Sequence, residues 1–359
     1  MTSEFFGKSQ ASGKIMCEDQ ISEQKISRLS GKIPEHRPEQ NILSRTPIVW
    51  MGALISCALW GGAFPAIKIG YGLYGIEVSA TGDQILFAGF RFILAGIFAI
   101  AIGSLLYRRL LFPGRGMWGK ILKLCLLQTV GQYFFFYLGL AHSSGVSASI
   151  IQASSVFVAL FVASALFHQE RMTRRKLLGS ALGFSGVLLL NLAGLLIALL
   201  GGGGAQAVVG SGSSLAGQLA VFASTVMYAF SSVFLKEYSR EELPFTLSGY
   251  QFFLGGILLC LAGCLMGGSP TVLLGQVEGA GLGILLLLAG ISAVAYSLWG
   301  QLLKYNPVSK VAVFGFMTPV FGVIFSTIFL QEKQGAGWPV ILLSLILVCA
   351  GTILAQSKV

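Results

Sequence analysis

The sequence predicts an all-α integral membrane protein whose ten transmembrane helices form two inverted five-helix repeats. Three observations carry that expectation. Of 359 residues, 55% are hydrophobic and only 11% charged, with a mean hydropathy of +0.79, whereas a soluble domain is about a quarter charged. The charges sit in short islands between apolar runs of about 20 residues, the helix length that crosses about 30 Å of hydrocarbon. The second half of the chain also repeats the first.

In chain order, residues 1–47 are polar and mixed in charge, with little to bury, and are expected to form a disordered cytoplasmic tail. No apolar region precedes Ile48, which argues against a secretory signal, and the tail's glutamates argue against a transit peptide. Residues 48–200 hold five apolar runs, at 48–70, 84–106, 120–140, 146–168 and 177–198. A Gly/Ser-rich, uncharged linker follows at 201–214. Residues 215–356 hold five more runs, at 215–235, 246–266, 281–303, 308–330 and 337–356. None of them alternates strictly, so they read as helices rather than barrel strands.

The net charge of +10 is distributed by side. With the tail in the cytoplasm, that face carries Arg108, Arg109, Arg115, Lys120, Lys123, Arg171, Arg174, Arg175, Lys176, Lys236, Arg240, Lys304 and Lys310, while the opposite loops carry Lys333 alone. Positive charge is retained on the cytoplasmic side during insertion, so both termini are expected there, in a cell (plasma or inner) membrane. The basic excess is an address for insertion, and no nucleic-acid partner is expected.

The duplication is visible residue by residue. Residues 145–170 lie on 307–332 without a gap, matching Val146-Ser147 with Val308-Ser309 and Gln169-Glu170 with Gln331-Glu332. Phe90-Arg91-Phe92-Ile93-Leu94 lies on Tyr250-Gln251-Phe252-Phe253-Leu254, and Trp60 and Lys68 fall on Tyr228 and Lys236. Five spans per half turn the second half upside down, which places Glu170 and Glu332 on opposite sides. Inverted repeats around a central site are the architecture of many secondary transporters.

Trp60-Gly61-Gly62-Ala63-Phe64-Pro65-Ala66-Ile67-Lys68 resembles the W-G-x-x-F-x-x-x-K signature of EamA-type members of the drug/metabolite transporter superfamily, and Arg91-Phe92 with Leu94-Ala95-Gly96 resembles their R-F-x-L-A-G. The resemblance covers about residues 48–356. It implies ten helices, cytoplasmic termini and transport, often export, of amino acids or other small metabolites by alternating access. It names no substrate.

Candidate substrate contacts come from polar and aromatic groups at membrane depth, where an unpaired polar group is costly and must find a partner or a wet cavity. Lys68 and Arg91 are the basic residues inside the first-half spans. They suit either an anionic substrate group, or snorkelling and pairing with Glu77 and Asp83. Gln128 and Gln132 share a helix face at i, i+4. Gln152 and Ser155 lie in the fourth span, Tyr228 and Ser231 in the sixth, and Tyr296 and Trp299 (with Ser292) in the eighth. With Trp60 they form the aromatic-walled set that a small-molecule pocket needs, or else bond helix to helix. Pro65 and Pro319 are expected helix kinks.

Other classes fit worse. Gly114–Ile121 approximates a phosphate loop, but Ile121 stands where Ser or Thr is required. A membrane hydrolase needs a Ser–His or paired-Asp arrangement that no span supplies, and no filter motif suggests a channel. The six cysteines are scattered and read as core residues, and neither a metal nor a cofactor is expected. The alternative within transporters is a sugar-phosphate or nucleotide-sugar antiporter, which needs more basic groups than Lys68 and Arg91. A membrane-integral enzyme trails behind it. No carboxylate lies mid-span, and His142 sits in a short turn, so proton antiport and uncoupled exchange both stay open.

Overall fold

The computed structural model describes residues 43, 45–167, 173–179, 181–186, 189, 214–271, 275, 279–306, 311, 313–331 and 338–356. Glu170, Glu332 and all of the linker but Ser214 lie outside these residues. The described helices belong to one unit, Thr46–Val359, and among the described residues every regular element is helical.

Six helices are long and apolar enough to span a bilayer: α1 (Thr46–Leu73), α2 (Thr81–Leu106), α3 (Trp118–Ala141), α6 (Leu215–Tyr238), α7 (Pro244–Leu265) and α8 (Ala280–Tyr305). Shorter apolar helices complete the set: α4 (Gly145–Ala153), α5 (Ser155–Phe161), α9 (Met317–Leu330) and α10 (Trp338–Gln356). Helical residues are also described at 174–179 and 181–186. Local chemistry sets several starts. Ser144 and Ser214 cap α4 and α6, their hydroxyls accepting from the Ser147 and Gly217 amides at 3.0 Å, and Pro244 opens α7, where its missing N–H costs nothing.

Pro319 lies in the first turn of α9, directly after a 3₁₀ turn at Val313–Phe316. Irregular backbone also follows α5, where Val162–Leu166 is π-helical, and lies in α3, whose residues Cys125–Gln132 form a π-helical stretch. Widening that turn re-aims the side chains after it, a feature frequent at functional sites. Pro65 does lie inside an unbroken α1.

The distribution of side chains is that of a protein dissolved in lipid. Large apolar residues such as Ile97, Leu126, Leu261 and Leu287 face outwards, while Gln84, Arg91, Gln128, Gln132 and Gln251 are buried. With hydrocarbon outside, polar groups have nowhere else to find partners.

The most extensive helix pair is α2 with α7, the second helix of each repeat. It is built on glycines seven residues apart, Gly82, Gly89, Gly96 and Gly103 on α2 and Gly249, Gly256 and Gly263 on α7. A Cβ on Gly96 would fall 2.5 Å from the Phe253 amide nitrogen, and one on Gly256 2.5 Å from that of Ile93. Only glycine lets the two backbones approach this closely. The contacts run in opposite senses, Gly82 meeting Gly268 at one end of α2 and Gly103 meeting Phe245 at the other, so equivalent helices are antiparallel, as inverted repeats require.

The two ends of the bundle differ in charge. At the end holding Arg108, Lys120, Arg240 and Lys304, the Lys120 ammonium pairs with Glu241, Glu242 accepts the Gly114 amide at 3.2 Å, and Gln301 donates to the Tyr107 hydroxyl at 2.8 Å. The opposite end carries Glu77 and Asp83, and Asp83 accepts the Ser269 amide at 2.9 Å.

Candidate solute-binding site

Between the ends, α1, α2, α3, α7 and α8 enclose one polar and aromatic cluster with Arg91 at its edge. Arg91 is 2% exposed. Its Nη1 donates to the Tyr137 hydroxyl at 2.8 Å, Nη2 to the Ser292 hydroxyl at 2.8 Å, and Nε to Ser292 Oγ at 3.2 Å and the Leu288 carbonyl at 3.3 Å. The guanidinium also lies 5.1 Å from the Phe92 ring centroid and about as close to Tyr133 and Tyr137. Among the described residues it meets no carboxylate. Asp83 and Glu77 are engaged near the helix ends, with Ser269 and Ser79, so neither snorkelling nor pairing with them describes Arg91. The side chain is a fixed cation, held by neutral groups.

Next to it is an aromatic layer. The Tyr133 and Tyr296 hydroxyls share a hydrogen bond at 2.6 Å, joining α3 to α8. Phe92 lies 4.2 Å from Tyr133 and 5.2 Å from Phe252, its repeat counterpart, and Phe252 lies 5.1 Å from Tyr296. Trp60 completes the layer, 5.1 Å from both Tyr296 and Trp299. Offset and edge-on ring pairs of this kind each add about 0.5–1.5 kcal/mol beyond burial.

Beyond the layer lies a group of amides. Gln251 donates to the Gln128 side-chain carbonyl at 2.9 Å. Gln128 and Gln132 both lie beside the Tyr296 hydroxyl. Several buried polar atoms here have no partner: Trp60 Nε1, Gln128 Nε2, Thr129 Oγ1, Gln132 Oε1 and Gln251 Oε1. Unpaired donors and acceptors at such depth are expensive. These five atoms lie around the aromatic layer; the other buried atoms without a partner among the described residues are scattered through the bundle.

Comparisons with known proteins agree with this architecture. The model of the EamA-like transporter family matches residues 47–192 and again 215–356. The chain belongs to the EamA-like transporter family. An uncharacterized transporter of Archaeoglobus fulgidus is 29% identical over 285 residues, 78% of this chain and 88% of that protein. A probable amino-acid metabolite efflux pump of Salmonella typhimurium is 25% identical over 291 residues, 78% of this chain and 86% of that protein. One crystal structure superposes with a TM-score of 0.58 at 18% identity, covering 87% of this chain and 97% of the other, which bears on the fold alone.

Within this EamA-type bundle, the expected site residues fall into three groups. Trp60, Arg91, Gln128, Gln132, Tyr296 and Trp299 come together in the central cluster, and Tyr228, on α6, lies close enough to Tyr296 to interact electrostatically. Gln152 instead accepts a hydrogen bond from Ser224 at 3.2 Å, tying α4 to α6, and Ser231 spends its hydroxyl on the Tyr228 carbonyl of its own helix. Lys68 is half-buried and Ser155 buried.

The cluster also holds residues that the sequence reading passed over: Phe92, Tyr133, Tyr137, Gln251 and Phe252. Tyr133 and Tyr137 prolong the Gln128–Gln132 stripe along α3, a signal hidden by the intervening phenylalanines. Gln251 was legible only as the residue aligned with Arg91. Among the described residues no group of His, Cys, Asp and Glu could hold a metal.

Proposed function

We propose that this protein is a secondary carrier for small organic solutes bearing a carboxylate, amino acids among them, and that it exports them from the cytoplasm by alternating access. The supporting observation is Arg91: a buried guanidinium with no counterion among the described residues, beside an aromatic layer and unpaired amides. A mid-membrane cation costs about 2.5–3.5 kcal/mol on insertion scales; the neutral groups that hold Arg91 offset part of that cost but supply no counterion among the described residues, which an anionic solute would. Arginine's fork also matches a carboxylate's two oxygens. In this reading Trp60, Tyr296 and Trp299 hold the body of the solute, Gln128, Gln132 and Tyr228 contact its polar groups, and Lys68, Gln152, Ser155 and Ser231 line the route or support it.

The antiparallel glycine seam supports a rocking motion, since two halves meeting along one narrow line can tilt about it. A single buried guanidinium suits a monoanion better than a sugar phosphate or nucleotide sugar, which carries more negative charge. The concentration of Lys and Arg at one end favours a cytoplasmic location for that end and for both termini.

The test is counterflow in proteoliposomes preloaded with unlabelled amino acid or monocarboxylate. A carrier accumulates external label transiently above equilibrium. Monotonic equilibration would identify a channel, consumption of the label an enzyme, and the absence of uptake for every carboxylate would remove the proposed substrate class.

A further inference from the structure

The two repeats place different chemistry at equivalent positions, and that difference gives the site two unlike ends. Arg91 and Gln251 occupy matching places on α2 and α7, each directly before the paired phenylalanines Phe92 and Phe252. Arg91 reaches Ser292 on α8, and Gln251 reaches Gln128 on α3, the helix equivalent to α8 in the other repeat. The bonding pattern is conserved through the inversion. The charge is not.

The aromatic layer lies between these ends. Ser292 precedes Tyr296 by one turn of α8, about 6 Å, and Tyr137 is nine residues from Gln128 along α3, about 13 Å. The ends are thus separated by on the order of 10 Å, the π-helical Cys125–Gln132 rising less per residue than an α-helix, with the Tyr133–Tyr296 hydrogen bond between them. An α-ammonium group lies next to its carboxylate and cannot reach across that distance. At the neutral end, Gln128 and Gln251 are fully buried, yet Gln128 Nε2 and Gln251 Oε1 lack partners. One is a donor and the other an acceptor, the pair that a hydroxyl or amide satisfies and that a carboxylate does not.

We propose that Gln251, together with Gln128, forms a second pole of the solute site and reads a neutral hydrogen-bonding group at the far end of an elongated carboxylate solute. The proposal rests on the functional reading above. A flat or aromatic middle would displace the Tyr133–Tyr296 bond and stack within the layer, while the carboxylate lies on Arg91. Specificity then lies in the distal group, because a site built to bond a hydroxyl is left with unpaired amides when that hydroxyl is missing.

The experiment compares 3-phenylpropanoate with 3-(4-hydroxyphenyl)propanoate, which differ only in the distal hydroxyl, as competitors of counterflow by the full-length protein in liposomes. The wild type is expected to favour the hydroxylated acid by about tenfold or more. Gln251→Leu and, separately, Gln128→Leu should abolish that preference, the ratio of the two affinities within each variant falling to within about twofold of unity. Using two variants guards against misfolding of either, and binding of the unsubstituted acid reports an intact Arg91 pole. Equal competition by both acids in the wild type, or a preference that survives in both folded variants, would overturn the proposal while leaving carboxylate transport standing. Counterflow with no carboxylate of any kind would instead bring down the functional reading, and this one with it.

Discussion

Replacing Arg91 by methionine separates a functional cation from a structural one. Methionine keeps an unbranched chain and removes the charge. The removal is favourable by about 2.5–3.5 kcal/mol, the cost of a cation at helix centre on insertion scales. Against it, the Tyr137 and Ser292 hydroxyls lose the donors now 2.8 Å away, at about 1–3 kcal/mol each. The two effects oppose, leaving a net destabilisation of at most about 3.5 kcal/mol, a melting shift of no more than about 10 °C for a chain of this size. Transport has no such offset. Losing two charge-assisted hydrogen bonds to a carboxylate, at about 1.5–3 kcal/mol each, lowers affinity by about 100-fold or more. Purified R91M should therefore elute as a single species, melt within about 10 °C of the wild type, and lose counterflow at least 100-fold. Counterflow within about fivefold of the wild type would remove Arg91 from the site. A protein that fails to fold would make the arginine structural.

The remaining predictions follow from the same geometry. Arg91→Lys keeps the charge without the fork, so apparent affinity for carboxylates should fall by about tenfold while maximal exchange is largely kept; equal affinity would argue against bidentate binding. Trp60→Ala and Trp299→Ala each remove a ring face from the aromatic layer and should weaken apparent affinity by about 3–10-fold with unchanged yield, as measured by concentration-dependent exchange. Gly96→Leu drives a side chain into the Phe253 backbone and should eliminate folded protein on gel filtration, whereas Gly290→Ala, with nothing within 4 Å of the new carbon, should behave as wild type. Because arginine stays protonated at every working pH, exchange at zero proton gradient should keep a constant apparent affinity from about pH 6 to 8 and fall only as the substrate carboxyl itself protonates near pH 4.

The membrane architecture was legible because hydrocarbon imposes one rule on every span, and the rule leaves a mark along the whole sequence. The R-F and Q-F segments were legible as repeat counterparts, and in the structure Phe92 and Phe252 meet, 5.2 Å apart. The chemistry of the site was less legible. Arg91 could be read as an interfacial charge because it is only two turns from Asp83; its inward rotamer depends on Tyr137 and Ser292, residues far from it in sequence. Gln251 stood out only as the residue aligned with Arg91, and its unpaired oxygen becomes visible only in three dimensions. Tyr133 and Tyr137 frame a phenylalanine run whose inward face cannot be chosen without knowing that the backbone widens at Cys125–Gln132. Pro319 read as a kink because the apolar run continues through it, although the helix begins only at Met317.

The central claim is that a carboxylate on Arg91 lies against the Trp60–Tyr296–Trp299 layer, and tryptophan fluorescence of the purified protein tests it directly. Titration with a transported carboxylate should change the emission saturably in the wild type, with a weaker affinity in R91K, no saturable change in R91M and a reduced amplitude in W60A. A saturable signal of undiminished affinity in R91M would contradict the account.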